Sequence, residues 1–529
     1  MASILVPLLS LLGPFALVAA ALSPAAGPAV MARRAEVAAL TGLAAALAGL
    51  AHWALSGPHT PAGWAALVYV DALSAIMLLL VSFVGAVVVR YSRNYLDGDP
   101  GQERFFRWLC LTLAAVLVLI VSGNLLTFLA AWVATSMGLH RLLLFYGDRT
   151  NARLAARKKF VVSRIGDACL LVAAVLLWHA FGSLDFATIF AGAEIAHATG
   201  VQPANLTLIA LLLVAGALLK SAQFPFHGWL LEVMETPTPV SALLHAGIIN
   251  AGGFLILRFA DVIALSVPAL DTLAIIGGAT AMFGSVVMLT QTSVKVQLAY
   301  STIAQMGFMM LQCGLGAFPA ALLHILAHSL YKAHAFLSSG SVIDLARASW
   351  SPSPGGQPHA ARMALALSAV LAVTMVIGTL FGSSPLERPG VFALGAIMLF
   401  GLAHLIAQAI DERPNGYVIG RTVLTAAAVA VVYFALQRGM ELLVAGSLPP
   451  TQALRGPVDL AIVVVVVLSF GALTLLQGQL GRKAGEPRWQ ALYVHVANGF
   501  YVNTIANRLA LRFWPAQRRR PALPAATQA

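Results

Sequence analysis

The sequence predicts an all-α polytopic membrane protein, and three observations carry that prediction. Hydrophobic residues make up 60% of the chain and charged residues only 10%, where soluble domains carry about 25% charge. Mean hydropathy is +0.86. Apolar stretches recur almost from end to end of the 529 residues, each near the ~20 residues needed to cross a bilayer as helix.

About 15 such spans can be drawn. Their expected limits are 3–22, 35–55, 66–91, 105–122, 124–146, 160–181, 206–222, 239–260, 270–290, 294–315, 319–343, 362–382, 390–410, 419–437 and 457–478. The first, "ILVPLLSLLGPFALVAAAL", has no basic segment before it and reads as a retained span, not a cleaved signal. The expected organisation is N-terminal spans over 1–100, a transport core over 101–345, further spans over 346–480, and a basic cytoplasmic tail over 481–529.

The net charge of +12 sits in short loops and the tail. That pattern follows the positive-inside rule and attraction to anionic lipid, so no nucleic-acid partner is expected. Arg33 and Arg34 follow the first span; Arg90, Arg93, Arg104 and Arg107 follow the third; Arg149, Arg153, Arg157, Lys158 and Lys159 follow the fifth. The alternate loops are nearly free of basic residues. The N-terminus is therefore expected outside the cytoplasm, and an odd span count puts the C-terminus inside. The tail agrees, with Arg482, Lys483, Arg488, Arg508, Arg512 and three arginines at 518–520. Within it, Trp489, Leu492, Tyr493, Val496 and Phe500 fall on one stripe of a short amphipathic helix. Such a helix could lie on the membrane, pack on the bundle or dock a partner.

Several function classes lack their residues. Cys110, Cys169 and Cys313 lie singly in apolar stretches, which excludes a disulfide framework and a thiolate metal site. There is no P-loop and no strand followed by GxGxxG, so nucleotide binding is not expected. No haem, iron–sulfur or zinc ligand set is visible, and neither a cofactor nor an enzymatic activity of its own is expected.

What remains is the movement of small ions. In "GALLKSAQFPFHGWLLEVMETPTPVSALLHAG", Pro225 interrupts an apolar run five residues after Lys220. Proline removes an amide donor and clashes with the preceding turn. Unwound backbone in a membrane is tolerated where it lines a cavity or is covered by protein, and broken helices mark ion pathways in transporters. An ionisable side chain within a span is a functional candidate by default. A desolvated amine takes and releases a proton more readily than one in water, which fits Lys220 for proton exchange. His245 follows in the next span, where a satisfied core histidine is an equal reading. In "HILAHSLYKAH", His324, His328 and Lys332 fall within an arc of about 80° at 100° per residue, with Tyr331 on the same face and His334 to one side. A stripe of imidazoles with an amine can pass protons through intervening water. Zinc is the rival for His-x3-His, but no glutamate or third ligand lies near in sequence. Lys295 begins the tenth span as an interfacial lysine or a cytoplasmic gate; Arg164 and Asp167 form a candidate ion pair; Asp71 is placed to cap a helix; His404 stands alone in its span.

These segments, with "SGNLLTFLAAW", "KKFVVSRIGD" and "QTSVKVQLAYSTIAQMGFM", resemble the proton-translocating antiporter-like family. That family includes the NuoL-type subunit of respiratory complex I and the large subunit of Mrp cation/proton antiporters. The likeness runs over roughly 65–345. It implies two inverted five-helix repeats with broken helices and a polar axis at mid-membrane. It also implies proton-transfer roles for Lys220, His245, Lys295, His324, His328 and Lys332. Three departures stand out. The glutamate usual after the tryptophan of the fifth span is Val133 here. The lysine-bearing broken helix expected after residue 345 is missing, with His404 as a stand-in. The long lateral helix of complex I has no counterpart.

"LAHSLYKAHAFLSSGSV" and "LYVHVANGFYVNTIANRL" look most like the DabB group within that family, the membrane subunits of two-component inorganic carbon pumps of the bacterial inner membrane. That likeness implies a cytoplasmic DabA-type zinc protein as partner. It also implies that protons, or Na+, flow through this chain to drive hydration of CO2 to bicarbonate on that partner. The alternatives are a proton-pumping complex I subunit, an Mrp-type Na+/proton antiporter subunit, and a membrane anchor whose polar residues only hold helices together.

Overall fold

The computed structural model describes residues 2–24, 27–57, 67–340, 360–385, 387–409, 416–453, 455–477 and 485–514. Among them the chain is helical throughout, with isolated bridges and no strand. The N-terminal helices are α1 (Ala2–Leu22), α2 (Pro28–Ser56), α3 (Ala72–Tyr95), α4 (Gln102–Val121) and α5 (Leu125–Leu143). Then come α6 (Thr150–Phe181), the short α7 (Phe186–Thr199) and α8 (Leu206–Lys220). The centre holds α9 (Gly228–Leu231), α10 (Thr238–Ala246), α11 (Ala251–Arg258) and α12 (Ala260–Ile263), followed by α13 (Val267–Met288), α14 (Val294–Gly314) and α15 (Phe318–Leu337). The remaining helices are α16 (Ala360–Leu380), α17 (Pro389–Ala409), α18 (Gly416–Leu443), α19 (Pro457–Gln477), α20 (Pro487–Ala497) and α21 (Val502–Phe513).

Eleven of the described helical segments are long and apolar enough to cross a membrane, taking Thr238–Arg258 as one. Leu206–Lys220 and Pro389–Ala403 are apolar but shorter. The expected total of about 15 is therefore not established by length and composition. The helices α14 and α15 occupy two of the expected positions, but α14 carries Lys295 and three glutamines, and α15 three histidines and Lys332.

Close backbone approach fixes the centre of the bundle. A Cβ added at Gly307 would stand 2.4 Å from the Ala281 amide nitrogen, and one at Gly314 2.3 Å from that of Ala274. Small residues thus let α13 and α14 touch along their length, the packing that membranes favour where hydrophobicity alone gives no attraction. The larger apolar core gathers residues of α1–α15, with Met440 of α18, Val444 and Leu448 just after it, and Val496 of the tail; a second core gathers α16–α19 against α13–α15.

Two interruptions lie inside this packing. α8 ends at Lys220, and residues 221–227 run without helix before α9. Ala222 takes a left-handed φ of 50° there. The second falls within 239–260, where the sequence predicts a single span. It divides at Gly247 (φ −129°, ψ −71°) into α10, a 3-10 turn over Ile248–Asn250, and α11. No proline announces it; the segment "HAGIINAGG" has glycines instead, which raise the cost of continuing a helix. Both interruptions shown by the described residues precede α13; α16–α19 run unbroken.

Two other expectations change. α6 starts at Thr150, ten residues before the expected limit, so Arg153, Arg157, Lys158 and Lys159 are helical and the two lysines are buried. The tail stripe is not one helix. α20 ends at Ala497, and Phe500 and Tyr501 take left-handed φ values of 49° and 63° in the turn before α21. Gly499 makes the turn possible, because a Cβ there would meet the Tyr300 hydroxyl at 2.7 Å. Residues 481–484 and 515–529, including part of the expected basic tail, lie outside the described residues, as does the His404 side chain.

Gly314→Ala is predicted to lower the thermal unfolding midpoint of the purified protein, at a cost of about 1–3 kcal/mol from overpacking. Gly401→Ala, whose Cβ meets nothing within 4 Å, is predicted to be neutral or stabilising by up to about 1 kcal/mol. Equal midpoints for the two variants would contradict the close packing of α13 on α14.

Candidate functional site

Lys220 is the last residue of α8, so its side chain emerges where the helix stops. It is buried against α5, where its Nζ donates to Ser136 Oγ at 2.7 Å and lies over the Trp132 ring, 4.3 Å from the centroid. The Trp132 carbonyl is 3.5 Å away. Val133 lies one helical turn from Ser136, so the amine has a neutral hydroxyl where the family resemblance leads one to expect a carboxylate. Ser136 was not legible as a site residue. Its carbonyl also accepts from Lys159 Nζ, which puts a second buried amine beside the first. Arg164 and Asp167 pair with each other one turn apart on α6, and neither hydrogen-bonds Lys220.

The second cluster forms around the Gly247–Asn250 interruption. His245 Nδ1 pairs with Thr302 Oγ1 of α14 at 2.9 Å, and the His245 ring stacks on Phe336, with centroids 4.3 Å apart. His328 Nε2 bonds the His245 carbonyl at 3.2 Å, in the tautomer that donates from that nitrogen. The next residue of α15, Ser329, accepts through Oγ from Asn250 Nδ2 at 2.8 Å, and one turn beyond His328, Lys332 Nζ donates to the Leu298 carbonyl at 3.1 Å. His324 continues the stripe, with its ring 6.1 Å from that of His328. Three polar atoms here, His245 Nε2, His328 Nδ1 and Asn250 Oδ1, are buried without a protein partner. Each retains capacity for a further hydrogen bond.

One hydrogen bond joins the two clusters. Ser221, the first residue after Lys220, donates from Oγ to the Ile249 carbonyl in the second interruption at 2.8 Å. Close approach permits it, since a Cβ on Gly252 would stand 2.3 Å from that hydroxyl.

The other expected residues separate from this centre. Lys295 Nζ donates to Thr238 Oγ1 at 3.3 Å, two turns before Thr302 on α14. Tyr331 and His334 are exposed, whereas His328 and Lys332 are buried and His324 partly buried. The reason is geometric: at four-residue spacing a stripe drifts by only about 40° per step, which leaves Tyr331 and His334 on the flanks. Asp71 caps α3 by accepting from the Ser74 amide at 2.8 Å, and its carboxylate also holds Arg258 in a two-pronged pair at 2.9 and 3.1 Å. Arg258 was not singled out in the sequence because its partner lies far away in the chain.

Three further ionisable groups, His227, Lys158 and Glu232, are brought into place only by the fold. His227, in the first interruption, is fully buried among the rings of Phe224, Phe283 and Tyr300, with neither ring nitrogen paired. Lys158 Nζ donates to Glu232 Oε1 at 2.7 Å, Asn503 Oδ1 at 2.9 Å and the Gly228 carbonyl at 3.3 Å, and also meets Asn507 Oδ1. An ammonium has three donors for these four acceptors. The pair ties α6, the segment after the first interruption and the tail to one point. Among the described residues no three His, Cys, Asp or Glu side chains are placed to hold a metal.

The chain's relatives can be set beside this geometry. The sequence pattern of the family described as NADH:quinone oxidoreductase/Mrp antiporter, TM, matches residues 122–351. That of NADH-ubiquinone oxidoreductase (complex I), chain 5 N-terminus, matches 65–106. Over 469 residues the chain is 43% identical to the probable inorganic carbon transporter subunit DabB2 of Halothiobacillus neapolitanus, covering 87% of this chain and 83% of that one. It is 37% identical over 457 residues to the probable inorganic carbon transporter subunit DabB of Hydrogenovibrio crunogenus, covering 85% and 83%. Among solved structures, a chain of the Mrp complex from Dietzia sp. superposes with a TM-score of 0.62 at 23% identity, covering 97% of this chain and 60% of that one. That last likeness shows the antiporter-like fold.

Asp71→Asn is predicted to destabilise the folded protein by about 3–5 kcal/mol, because it leaves the buried Arg258 guanidinium uncompensated. Replacing both partners, by Asp71→Leu with Arg258→Met, is predicted to cost less than the single change. Thermal unfolding in detergent measures both, and a single variant within about 1 kcal/mol of wild type would contradict the pair's role.

Proposed function

The chain belongs to the DabB family of inorganic carbon transporter subunits, and from that premise we propose that it carries protons along its two joined polar clusters to energise carbon uptake. It is a multi-pass membrane protein of the antiporter-like class and a transporter subunit. The likeness to carbon transporter subunits spans 87% of the chain, whereas the quinone oxidoreductase and antiporter patterns match only 65–106 and 122–351.

The observation that carries the reading is the meeting of Lys220, His245, His328 and Lys332 at two helix interruptions linked by Ser221 and Ile249. Amines and imidazoles bind and release protons, while Na+ calls for a cage of oxygen ligands. Protons are therefore the favoured coupling ion. Lys295 stands at the cytoplasmic end of α14 as the group that exchanges with bulk water. His324 extends the path along α15, and Arg164 with Asp167 sets the charge around Lys220.

The arrangement of basic residues supports a C-terminus on the cytoplasmic side of the bacterial inner membrane and an N-terminus on the periplasmic side. Glu36 gathers Arg90 and Arg93 at one end of the bundle, and Arg157 meets Trp514 of the tail. A cytoplasmic DabA-type zinc partner would dock on that side. Hydration of CO2 there gives bicarbonate and a proton that passes to cytoplasmic water, and obligatory coupling of that hydration to downhill proton movement through the membrane subunit makes the step effectively one-way.

In proteoliposomes, Lys220→Met is predicted to slow proton flux by more than about tenfold, an added barrier of ~1.4 kcal/mol. Ser136→Ala, which removes a hydrogen bond to a charged group worth at least about 1.5 kcal/mol, is predicted to slow it by roughly tenfold. A pH-sensitive dye inside the vesicles reads both, with folding checked by gel filtration. Full flux in Lys220→Met would overturn the reading.

A further inference from the structure

The tail helix α21 turns one face to the bundle, where Asn503 and Asn507 meet Lys158. The other face has no partner among the described residues. Ile505, Leu509 and Phe513 are exposed there, Phe513 to 84%. Arg508 and Arg512 are exposed beside them. At 100° per residue, all five fall within an arc of about 140°. An apolar stripe edged by cations is the composition of a helix that lies in a membrane interface.

The position of the helix identifies what it meets. On α6, Val161, Ile165, Val172 and Val175 form an exposed apolar stripe, the side turned to lipid in a spanning helix. Arg157 lies on the same stripe, one turn before Val161 and so at its cytoplasmic edge. That residue anchors the end of α21: its guanidinium donates to the Trp514 carbonyl at 2.9 Å and lies 5.0 Å from the Trp514 ring centroid. Tryptophan and arginine are the residues that sit at the headgroup level. The C-terminal half of α21 is therefore held at the depth where the hydrocarbon begins, on the lipid side of α6.

We propose that the outer face of α21, formed by Ile505, Arg508, Leu509, Arg512 and Phe513, binds the anionic phospholipid surface of the membrane. The three apolar side chains enter the acyl boundary, and the two guanidinium groups pair with phosphate oxygens in the two-pronged geometry arginine favours. The lipid surface then holds α21 against α6 from outside, while Lys158 and Glu232 hold it from inside. This assignment stands independently of the proton path.

The test uses the full chain with its three cysteines replaced and a fluorophore on Leu509→Cys. It is placed in nanodiscs of phosphatidylcholine with or without phosphatidylglycerol, and quenching by lipid-borne nitroxides is read. The expected result is strong quenching in discs with phosphatidylglycerol. Arg508→Gln with Arg512→Gln should shift the bound-to-free ratio by roughly thirtyfold, at about 1 kcal/mol for each cation near an anionic surface. Circular dichroism of the same sample checks that the helices remain. A water-exposed label in anionic discs would overturn the proposal. Equal quenching in both lipid compositions would overturn the assignment to anionic headgroups. Shielding that appears only when a soluble partner protein is added would give the face to that partner.

Discussion

Non-helical backbone inside an apolar bundle must find a partner for each polar group, because each unsatisfied one costs several kcal/mol in a lipid-like medium. Four backbone amides of residues 221–227 meet this constraint. The Ser221 amide bonds the Ala217 carbonyl at 3.0 Å, the Gln223 amide the Leu218 carbonyl at 3.2 Å, and the Phe226 amide the Gln223 carbonyl at 2.8 Å. The Phe224 amide reaches across to Thr280 Oγ1 of α13 at 3.1 Å, and Pro225 has no amide donor to place. The interruption thus depends on α13 being where it is, and α13 is held by its glycine contacts with α14. α14 in turn supplies Thr302 to His245 and the Leu298 carbonyl to Lys332. One packing arrangement therefore sets both polar clusters.

This explains how the chain keeps Lys220 in place with Val133 where the sequence resemblance leads one to expect a glutamate. A buried ammonium needs hydrogen-bond acceptors and a polarisable surface. Ser136, the Trp132 carbonyl and the Trp132 ring provide both. None of these carries a charge, so a proton leaving Lys220 leaves no unpaired anion beside it. The carboxylate Glu232 lies instead with Lys158, where it joins the tail to the segment after the first interruption.

Much of this was legible in the sequence. Lys220 next to Pro225 marked the first interruption, because a charge and a helix breaker are both conspicuous in an apolar run. The four-residue spacing of His324, His328 and Lys332 gave the inward stripe on α15. What stayed hidden lacks a local signal. Ser136 is an ordinary helix serine until Lys220 arrives from 84 positions away. The Gly247 interruption has no proline. Lys158 and Lys159 read as loop charges because apolar residues begin only at Phe160, although α6 begins at Thr150. Arg258 and Asp71 lie 187 positions apart and become a pair only in the fold.

The central claim is that the two clusters form one conduit joined at Ser221 and Ile249, not two separate paths. Proton flux under an imposed membrane potential, compared for Lys220→Met, Lys332→Met and the double variant in the same vesicles, tests it most directly. A single conduit predicts that each replacement alone stops flux as completely as both together. Residual flux in each single variant that disappears only in the double would show two parallel paths and contradict the account.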